Sequence, residues 1–201
     1  MKNRRTAMHT TGALLSLALA ACGTSSSSST PASQTPPPAS AATAEAHNAA
    51  DVTFATEMTS HHTQAVEMAG FAATRAGNAQ VKALAAQISA EQGPEITQMT
   101  GWLTMWGQPV PAGGHDMSGH GMPGAPGMMS DADMAMLQTL SGSAFDKMWL
   151  QMMTEHHNGA LAMASTELAS GQYGPAKALA TSITRTQTEQ IAQMHALATK
   201  V

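Results

Sequence analysis

The sequence is poor in charge, and in positive charge above all. Only 11% of its 201 residues are charged, and nine Lys and Arg residues stand against thirteen Asp and Glu residues. Lys2, Arg4 and Arg5 lie at the extreme N-terminus, so without residues 1–21 the formal charge falls from −4 to −7. This balance argues against binding to nucleic acid or to anionic lipid, and it would not repel a cation.

A long apolar run is also missing. The run GALLSLALAA at Gly12–Ala21 is too short to span a bilayer, and it has the form of an export signal behind a basic N-terminus. It ends in LAAC, Leu19–Cys22, which resembles the bacterial lipobox and implies cleavage before Cys22 with lipidation of that residue. A plain secretory signal with an incidental cysteine is the alternative. We predict a signal peptide over residues 1–21 and a lipid anchor facing the periplasm or the extracellular side.

Cysteine is nearly absent, because Cys22 is the only one. With Cys22 lipidated, the mature chain has neither a free thiol nor a disulfide, which excludes thiolate zinc sites and cysteine nucleophiles. The cell envelope is oxidising, so stability must come from the hydrophobic core or from a bound metal.

Residues 22–46 hold the lipidated cysteine and a Ser-, Pro- and Ala-rich stretch that cannot form a core. We predict a disordered tether there. Residues 47–201 suffice for one domain. No segment of it shows the sustained two-residue alternation of a half-buried strand, so we expect an all-α fold.

The chain carries an internal repeat with an offset of 95 residues. MTSHHTQAVEMA at Met58–Ala69 returns as MTEHHNGALAMA at Met153–Ala164. Between residues 54–103 and 149–198, 16 of 50 positions are identical without a gap. The two halves, 47–106 and 131–201, therefore indicate a duplication.

The first half reads as a helical hairpin. We predict one helix over residues 51–76, with Asp51 as its N-cap and Gly77 as its stop. A second helix should run from Asn78 to Trp106, with a kink at Gly93-Pro94.

The second half predicts helices over residues 143–170 and from Pro175 to about Thr199, with a short helix at 131–140 before them. Short connections within each half imply antiparallel neighbours. Two tandem helical hairpins, joined by a connector at 107–130, make a four-helix bundle.

Helical geometry places both histidine pairs on buried faces. At about 100° per residue, each pair shares one arc of about 120° with two methionines and several alanines. A lone buried histidine usually only fixes packing through a hydrogen bond. Two such faces in one bundle concentrate metal ligands instead. The residues concerned are Met58, His61, His62 and Met68 in the first half, and Met153, His156, His157 and Met163 in the second.

These donors favour copper. No Glu precedes a His by three residues, so the Glu-x-x-His element of di-iron bundles is missing. Zinc gains nothing from methionine, whereas thioethers select Cu(I) and imidazole suits both oxidation states of copper. We predict copper as the cofactor, Cu(I) above Cu(II), with an affinity that weakens as the pH falls through about 6.5.

Methionine is abundant in the connector as well. Beyond residue 21 the chain has 15 methionines and only 9 leucines, which reverses the usual order. A Gly- and Pro-rich connector with His and Met is typical of metal capture, although a plain linker is the alternative. The secondary capture residues are His115, Met117, His120, Met122, Met128 and Met129 in the connector, and Met99, Met194 and His195 near helix ends.

Two motifs connect these residues to a known family. One is D-x-x-F-x-x-x-M-x-x-H-H from Asp51 to His62, and the other is Q-x-x-E-I-x-x-M-x-x-W-L-x-x-W from Gln92 to Trp106. With GMMS and FDKMWLQMMTEHHNGALAMA, they resemble the bacterial envelope family called domain of unknown function 305, over about residues 48–199. The resemblance implies a ferritin-like four-helix bundle, and copper binding as in some secreted members.

The sequence thus predicts an extracytoplasmic copper-binding lipoprotein that sequesters or transfers copper and is not an enzyme. Its partners would be copper ions, the membrane through the lipid anchor alone, and an unidentified transfer protein, but no nucleic acid. One alternative is a metal-dependent oxidase or hydrolase, with Glu155 as the candidate base. Another is a structural envelope protein whose histidines only fix helix packing.

Overall fold

The computed structural model describes residues 46–111 and 125–201. The predicted signal peptide, Cys22, the predicted tether as far as residue 45 and four connector residues of the proposed capture set (His115, Met117, His120 and Met122) lie outside these ranges. Within them the chain forms five α-helices and no strand: α1 (Ala49–Arg75), α2 (Ala79–Met105), α3 (Asp131–Thr139), α4 (Gly142–Ser170) and α5 (Gly174–Ala198). None of the described helices is long and apolar enough to cross a membrane.

The five helices confirm the predicted all-α architecture. α1 packs on α2 and α4 packs on α5, so each half of the repeat is a hairpin, and the hairpins meet mainly through α1 and α4. The indole of Trp149 in α4 donates a buried hydrogen bond of 2.9 Å to the Met68 carbonyl of α1. The short helix α3 leads from the connector into the second hairpin.

Asn48, rather than Asp51, caps α1. The Asn48 side chain accepts hydrogen bonds from the backbone N–H groups of Ala50 and Asp51. The Asp51 carboxylate in turn accepts the backbone N–H of Asn48, which completes a capping box. The predicted N-cap was therefore wrong by three residues. Asn48 and Asp51 both belong to the capping box, and the sequence alone did not show which of them is the N-cap.

α2 is continuous through Gly93-Pro94. Pro94 cannot donate a hydrogen bond to the Ala90 carbonyl, but both residues are exposed, so water can satisfy that carbonyl. The proline at the predicted kink does not break the helix, and Gln92 and Met99 stay buried on either side of it.

Two aspartates join the hairpins in the same way. Each lies in the first turns of one hairpin and accepts two backbone N–H groups from the turn of the other hairpin. Asp146 accepts from Gly77 at 3.1 Å and Asn78 at 2.8 Å, and Asp51 accepts from Gln172 at 3.0 Å and Tyr173 at 2.9 Å. Asp51 and Asp146, Gly77 and Gln172, and Asn78 and Tyr173 are each 95 positions apart. The same contact between the hairpins is therefore made twice, once by each copy of the repeat.

The last part of the connector, residues 125–130, lies across α1 and α4. Gln64 holds it through two hydrogen bonds with the Met129 backbone, one to the carbonyl at 2.9 Å and one from the N–H at 2.8 Å. On α4, the Pro126 carbonyl and Gly127, whose φ is +78°, rest directly on Gly159. A Cβ atom on Gly159 would overlap that carbonyl, so this glycine admits a crossing backbone segment.

Glu167 has no counterpart in the first half, where Ala72 occupies the equivalent position. It is fully buried beside Asp51, and neither of its carboxyl oxygens has a donor partner. Burial opposes ionisation of Asp51, but hydrogen bonds from Asn48, Tyr173 and Gln172 outweigh it and lower the Asp51 pKa. Burial, reinforced by Asp51 and opposed by Lys177, raises the pKa of Glu167 to about 7. The pair is thus satisfied when Glu167 is protonated and donates to Asp51.

We expect Gly159→Ala to destabilise the protein by about 1–3 kcal/mol, because the added methyl group must displace the Pro126 segment. Gly70→Ala is the matched control, since Gly70 is exposed in α1 with open space around its Cβ position. That control should gain up to about 1 kcal/mol of helix stability. Denaturant unfolding of both variants measures the difference, and equal stabilities would contradict the tight crossing.

We expect the Glu167 carboxyl group to favour the folded state at low pH. Its folded pKa of about 7 lies above the reference value of 4.5. Its contribution is therefore complete below pH 4.5 and is lost as the pH rises through 7. The free energy of unfolding should be compared with that of Glu167→Gln from pH 4 to pH 8, which cancels other titrations. The variant should become relatively more stable as the pH rises, and parallel curves would rule out the raised pKa.

Candidate metal centre

All eight residues predicted as principal ligands lie on the packed faces of α1 and α4. Met163 is 7% exposed, and the other seven side chains have no exposed surface. Helical spacing alone therefore identified the buried arc correctly in both halves.

The two hairpins bring their first histidines into contact. The ring centroids of His61 in α1 and His156 in α4 are 3.6 Å apart, with an angle of 34° between the ring planes. His157 lies beside His156, with 6.4 Å between their ring centroids. The histidine pairs thus meet where the hairpins pack together, and alanines such as Ala65 and Ala160 provide the room.

Three of the four imidazoles have a partner at Nε2. That atom lies 3.1 Å from the Pro126 carbonyl in His61 and 2.7 Å from the Glu95 carboxylate in His62. In His157 it lies 2.7 Å from the side-chain oxygen of Gln190. The partners come from the connector, α2 and α5, so every part of the domain except α3 contributes to the surroundings of the histidines.

The opposite side of the rings is unpartnered. Nδ1 of all four histidines is buried without a hydrogen bond, and so is Nε2 of His156. Buried polar atoms without partners are rare, and each costs about 1–3 kcal/mol. Five of the eight ring nitrogens in the four histidines therefore lack a hydrogen-bond partner.

Burial favours the neutral form of the His61, His156 and His157 imidazoles. Desolvation, with help from nearby His62, lowers the pKa of His61 to about 3. Desolvation lowers the pKa of His157 to about 4, although the hydrogen bond to Gln190 opposes the change. The pKa of His156 falls well below its usual value because of burial and the neighbouring His61 and His157. A neutral imidazole is the form that binds metal.

The methionines divide into two pairs on either side of the histidines. Met58 of α1 and Met163 of α4 belong to one hydrophobic cluster, in which Met99 is also buried. Met68 and Met153 belong to the other cluster, together with Met194. Each pair therefore combines one methionine from each half, so each cluster offers thioether groups from both hairpins beside the imidazoles.

The remaining capture residues are more scattered. Met99 and Met194 are fully buried, whereas His195 is exposed on α5. Met128 and Met129 are partly buried at the end of the connector. Across residues 46–111 and 125–201, no three His, Cys, Asp or Glu side chains are grouped closely enough to hold a metal by themselves.

Sequence reasoning missed the residues that hold the histidine rings. Glu95, Gln190 and Pro126 contact the rings, and Glu91 accepts a hydrogen bond from Gln190 at 2.6 Å. Glu155, the candidate base next to His156, is exposed instead. The 95-residue offset aligns Glu95 with Gln190. Because these two residues are not identical, a search for identical positions in the repeat did not reveal them.

The chain resembles several solved structures over most of its length. A protein described as a secreted protein of Streptomyces coelicolor is 37% identical, over 75% of this chain and 93% of its own, with a TM-score of 0.67. A fragment from Deinococcus radiodurans is 29% identical, over 77% and 98%, with a TM-score of 0.66. CopM in its Cu(II)-bound form is 32% identical, over 75% and 96%, with a TM-score of 0.62.

CopM has also been solved bound to Cu(I) and to silver. A search of curated proteins found no significant match. The family model described as domain of unknown function 305 matches residues 51–198, and two of the three solved structures carry the same family name. The chain therefore belongs to the domain of unknown function 305 family.

Proposed function

We propose that this protein binds copper outside the cytoplasm and either sequesters it or passes it to a partner protein. The ligands would be His61, His62, His156 and His157, with thioethers from Met58, Met68, Met153 and Met163. The proposal depends above all on one observation, the five buried imidazole nitrogens that lack any hydrogen-bond partner.

The donor chemistry fits copper. Neutral imidazole binds both oxidation states of copper, and thioether groups add affinity for the softer Cu(I). The hydrogen bonds at Nε2 of three histidines are those that usually orient metal-binding imidazoles. The similarity to CopM, which was solved with Cu(I), Cu(II) and silver, supports the same class of ion.

The connector and the N-terminal signal complete the proposal. The His- and Met-rich connector would collect ions, and its described end lies on α1 and α4 beside His61. Export and lipidation at Cys22 would place the domain in the cell envelope, and the similarity to a protein described as secreted supports an extracytoplasmic location. Copper homeostasis or resistance is the role that fits this combination.

We expect replacement of the four bundle histidines with Leu to abolish the tightest copper site. Cu(I) at about 100 times its dissociation constant should stabilise the native protein by about 2.7 kcal/mol, and this gain should disappear in the Leu variant. Its metal-free form should change little in stability, because the loss of unpaired buried nitrogens offsets the loss of the Nε2 hydrogen bonds to Glu95 and Gln190. Anaerobic thermal unfolding with and without Cu(I) measures both effects.

A connector variant, with His115, Met117, His120 and Met122 replaced by Ser, is the comparison. It should keep the melting temperature and the full Cu(I)-induced shift, because these residues would bind copper more weakly. If the Leu variant keeps the shift and the connector variant loses it, the copper site is the connector and the bundle histidines are structural.

We expect the contribution of His61 and His157 to copper affinity to stay nearly constant from pH 8 to pH 5 and to fall as the pH approaches 4. Protons compete for imidazole only near its pKa, and burial lowers those of His61 and His157 to about 3 and 4. This differs from the sequence-based expectation of a loss near pH 6.5, which used the pKa of an unperturbed imidazole. Competition titration of the His62→Leu variant against a chelator tests it, and a tenfold loss between pH 7 and pH 6 would contradict the lowered pKa values of His61 and His157.

A further inference from the structure

The hydrogen bonds at Nε2 determine which nitrogen each ring leaves free. A backbone carbonyl and a carboxylate can only accept hydrogen bonds, so Nε2 carries the proton in His61, opposite Pro126, and in His62, opposite Glu95. A neutral ring with its proton on Nε2 has its lone pair on Nδ1. The lone pair then lies on the buried, unpartnered side of the ring.

The same conclusion holds for His157, because a second carboxylate orients the Gln190 amide. The Gln190 side-chain nitrogen donates to Glu91 at 2.6 Å, and Glu91 can only accept. The amide oxygen must therefore face His157, where it lies 2.7 Å from Nε2. This relay from Glu91 through Gln190 removes the usual ambiguity of amide orientation and of the histidine tautomer.

We propose that Nδ1 is the metal-binding atom of His62 and His157, and that Glu95 and Gln190 are the positioning residues that select it. This inference rests on the proposed function for the metal, but the tautomers themselves are properties of the metal-free protein. His61 follows the same rule through the Pro126 carbonyl. His156 has both ring nitrogens free, so the structure assigns it no preference.

The two halves are unequal under this proposal. Glu95 and Gln190 occupy equivalent positions, yet one offers a charged acceptor and the other a neutral amide. A carboxylate partner makes an imidazole a stronger electron donor to a metal than an amide does. The His62 ring should therefore bind copper more strongly than the His157 ring.

The tautomers can be measured without metal. Long-range ¹H–¹⁵N correlation spectra of the metal-free protein, with ¹⁵N-labelled histidine, distinguish a protonated Nε2 from a protonated Nδ1. We expect both His62 and His157 to carry the proton on Nε2 at pH 7. A proton on Nδ1 of either ring would overturn the inference, whatever the protein does with copper.

Titration with Cu(I), which is diamagnetic, then identifies the binding atom in the same spectra. The Nδ1 resonance of His62 should shift before that of His157. Glu95→Gln should lower the affinity of the first half by about 10- to 100-fold and make the two shifts coincide. Gln190→Glu, combined with Glu91→Gln so that two carboxylates do not face each other, should bring the His157 shift forward to coincide with that of His62.

Glu189→Gln is the matched control, because it removes a carboxylate from an exposed position on α5 beside Gln190. It should leave the order of the shifts unchanged. If neither Glu95→Gln nor Gln190→Glu changes the order in which the His62 and His157 resonances shift, Glu95 and Gln190 are not positioning residues. A purely structural role for these two residues would leave that order unchanged.

The result also separates this inference from the function on which it rests. Copper that binds and shifts Nε2 would overturn the inference and leave the proposed function intact. Copper that fails to bind, with the Nε2-protonated tautomers present, would overturn the proposed function and the ligand role together.

Discussion

The burial of two histidine pairs where α1 meets α4 is the constraint on which the rest of this bundle depends. Imidazole nitrogens removed from water need partners, and the chain supplies them for one side of three rings from α2, α5 and the connector. Nδ1 of all four rings and Nε2 of His156 have no hydrogen-bond partner. At about 1–3 kcal/mol for each unpaired atom, this arrangement destabilises the metal-free fold substantially. The apolar clusters on either side and the aspartate contacts between the hairpins must offset that cost.

The duplication explains why the cluster exists, and its departures from symmetry explain what the cluster does. Met58, the histidine pair and Met68 recur 95 residues later, so packing α1 on α4 opposes two copies of one Met/His set. Three of the positions that differ between the halves make contacts described above. Gln64 holds the connector through hydrogen bonds, whereas its equivalent Gly159 lies beneath the connector. Ala72 is equivalent to Glu167, which is buried beside Asp51. Glu95 is equivalent to Gln190, so a carboxylate holds the His62 ring and an amide holds the His157 ring.

Regular periodicity was sufficient to predict the bundle and the buried ligand arc, because both follow from residues three and four apart on one helix. The N-cap of α1 was wrong because Asn48 and Asp51 share one capping box. The sequence did not show that Pro94 lies on the exposed side of α2, where water can replace the hydrogen bond that the proline cannot donate. Glu95, Gln190 and Pro126 could not be predicted, since their contacts with the histidines join residues 33 or 65 positions apart. No local pattern encodes such distances.

Unpaired nitrogens in a closed core connect stability with binding. A metal that reached them would remove several unfavourable terms at once, so part of its binding free energy would appear as stability of the bundle. Rings already oriented by Glu95 and Gln190 would lose little freedom on binding a metal, whereas unbranched methionines could adjust to the ion. Rigid imidazoles and adaptable thioethers in one core suit an ion whose preferred geometry changes with its oxidation state, because the fixed donors define the position and the flexible ones complete the coordination.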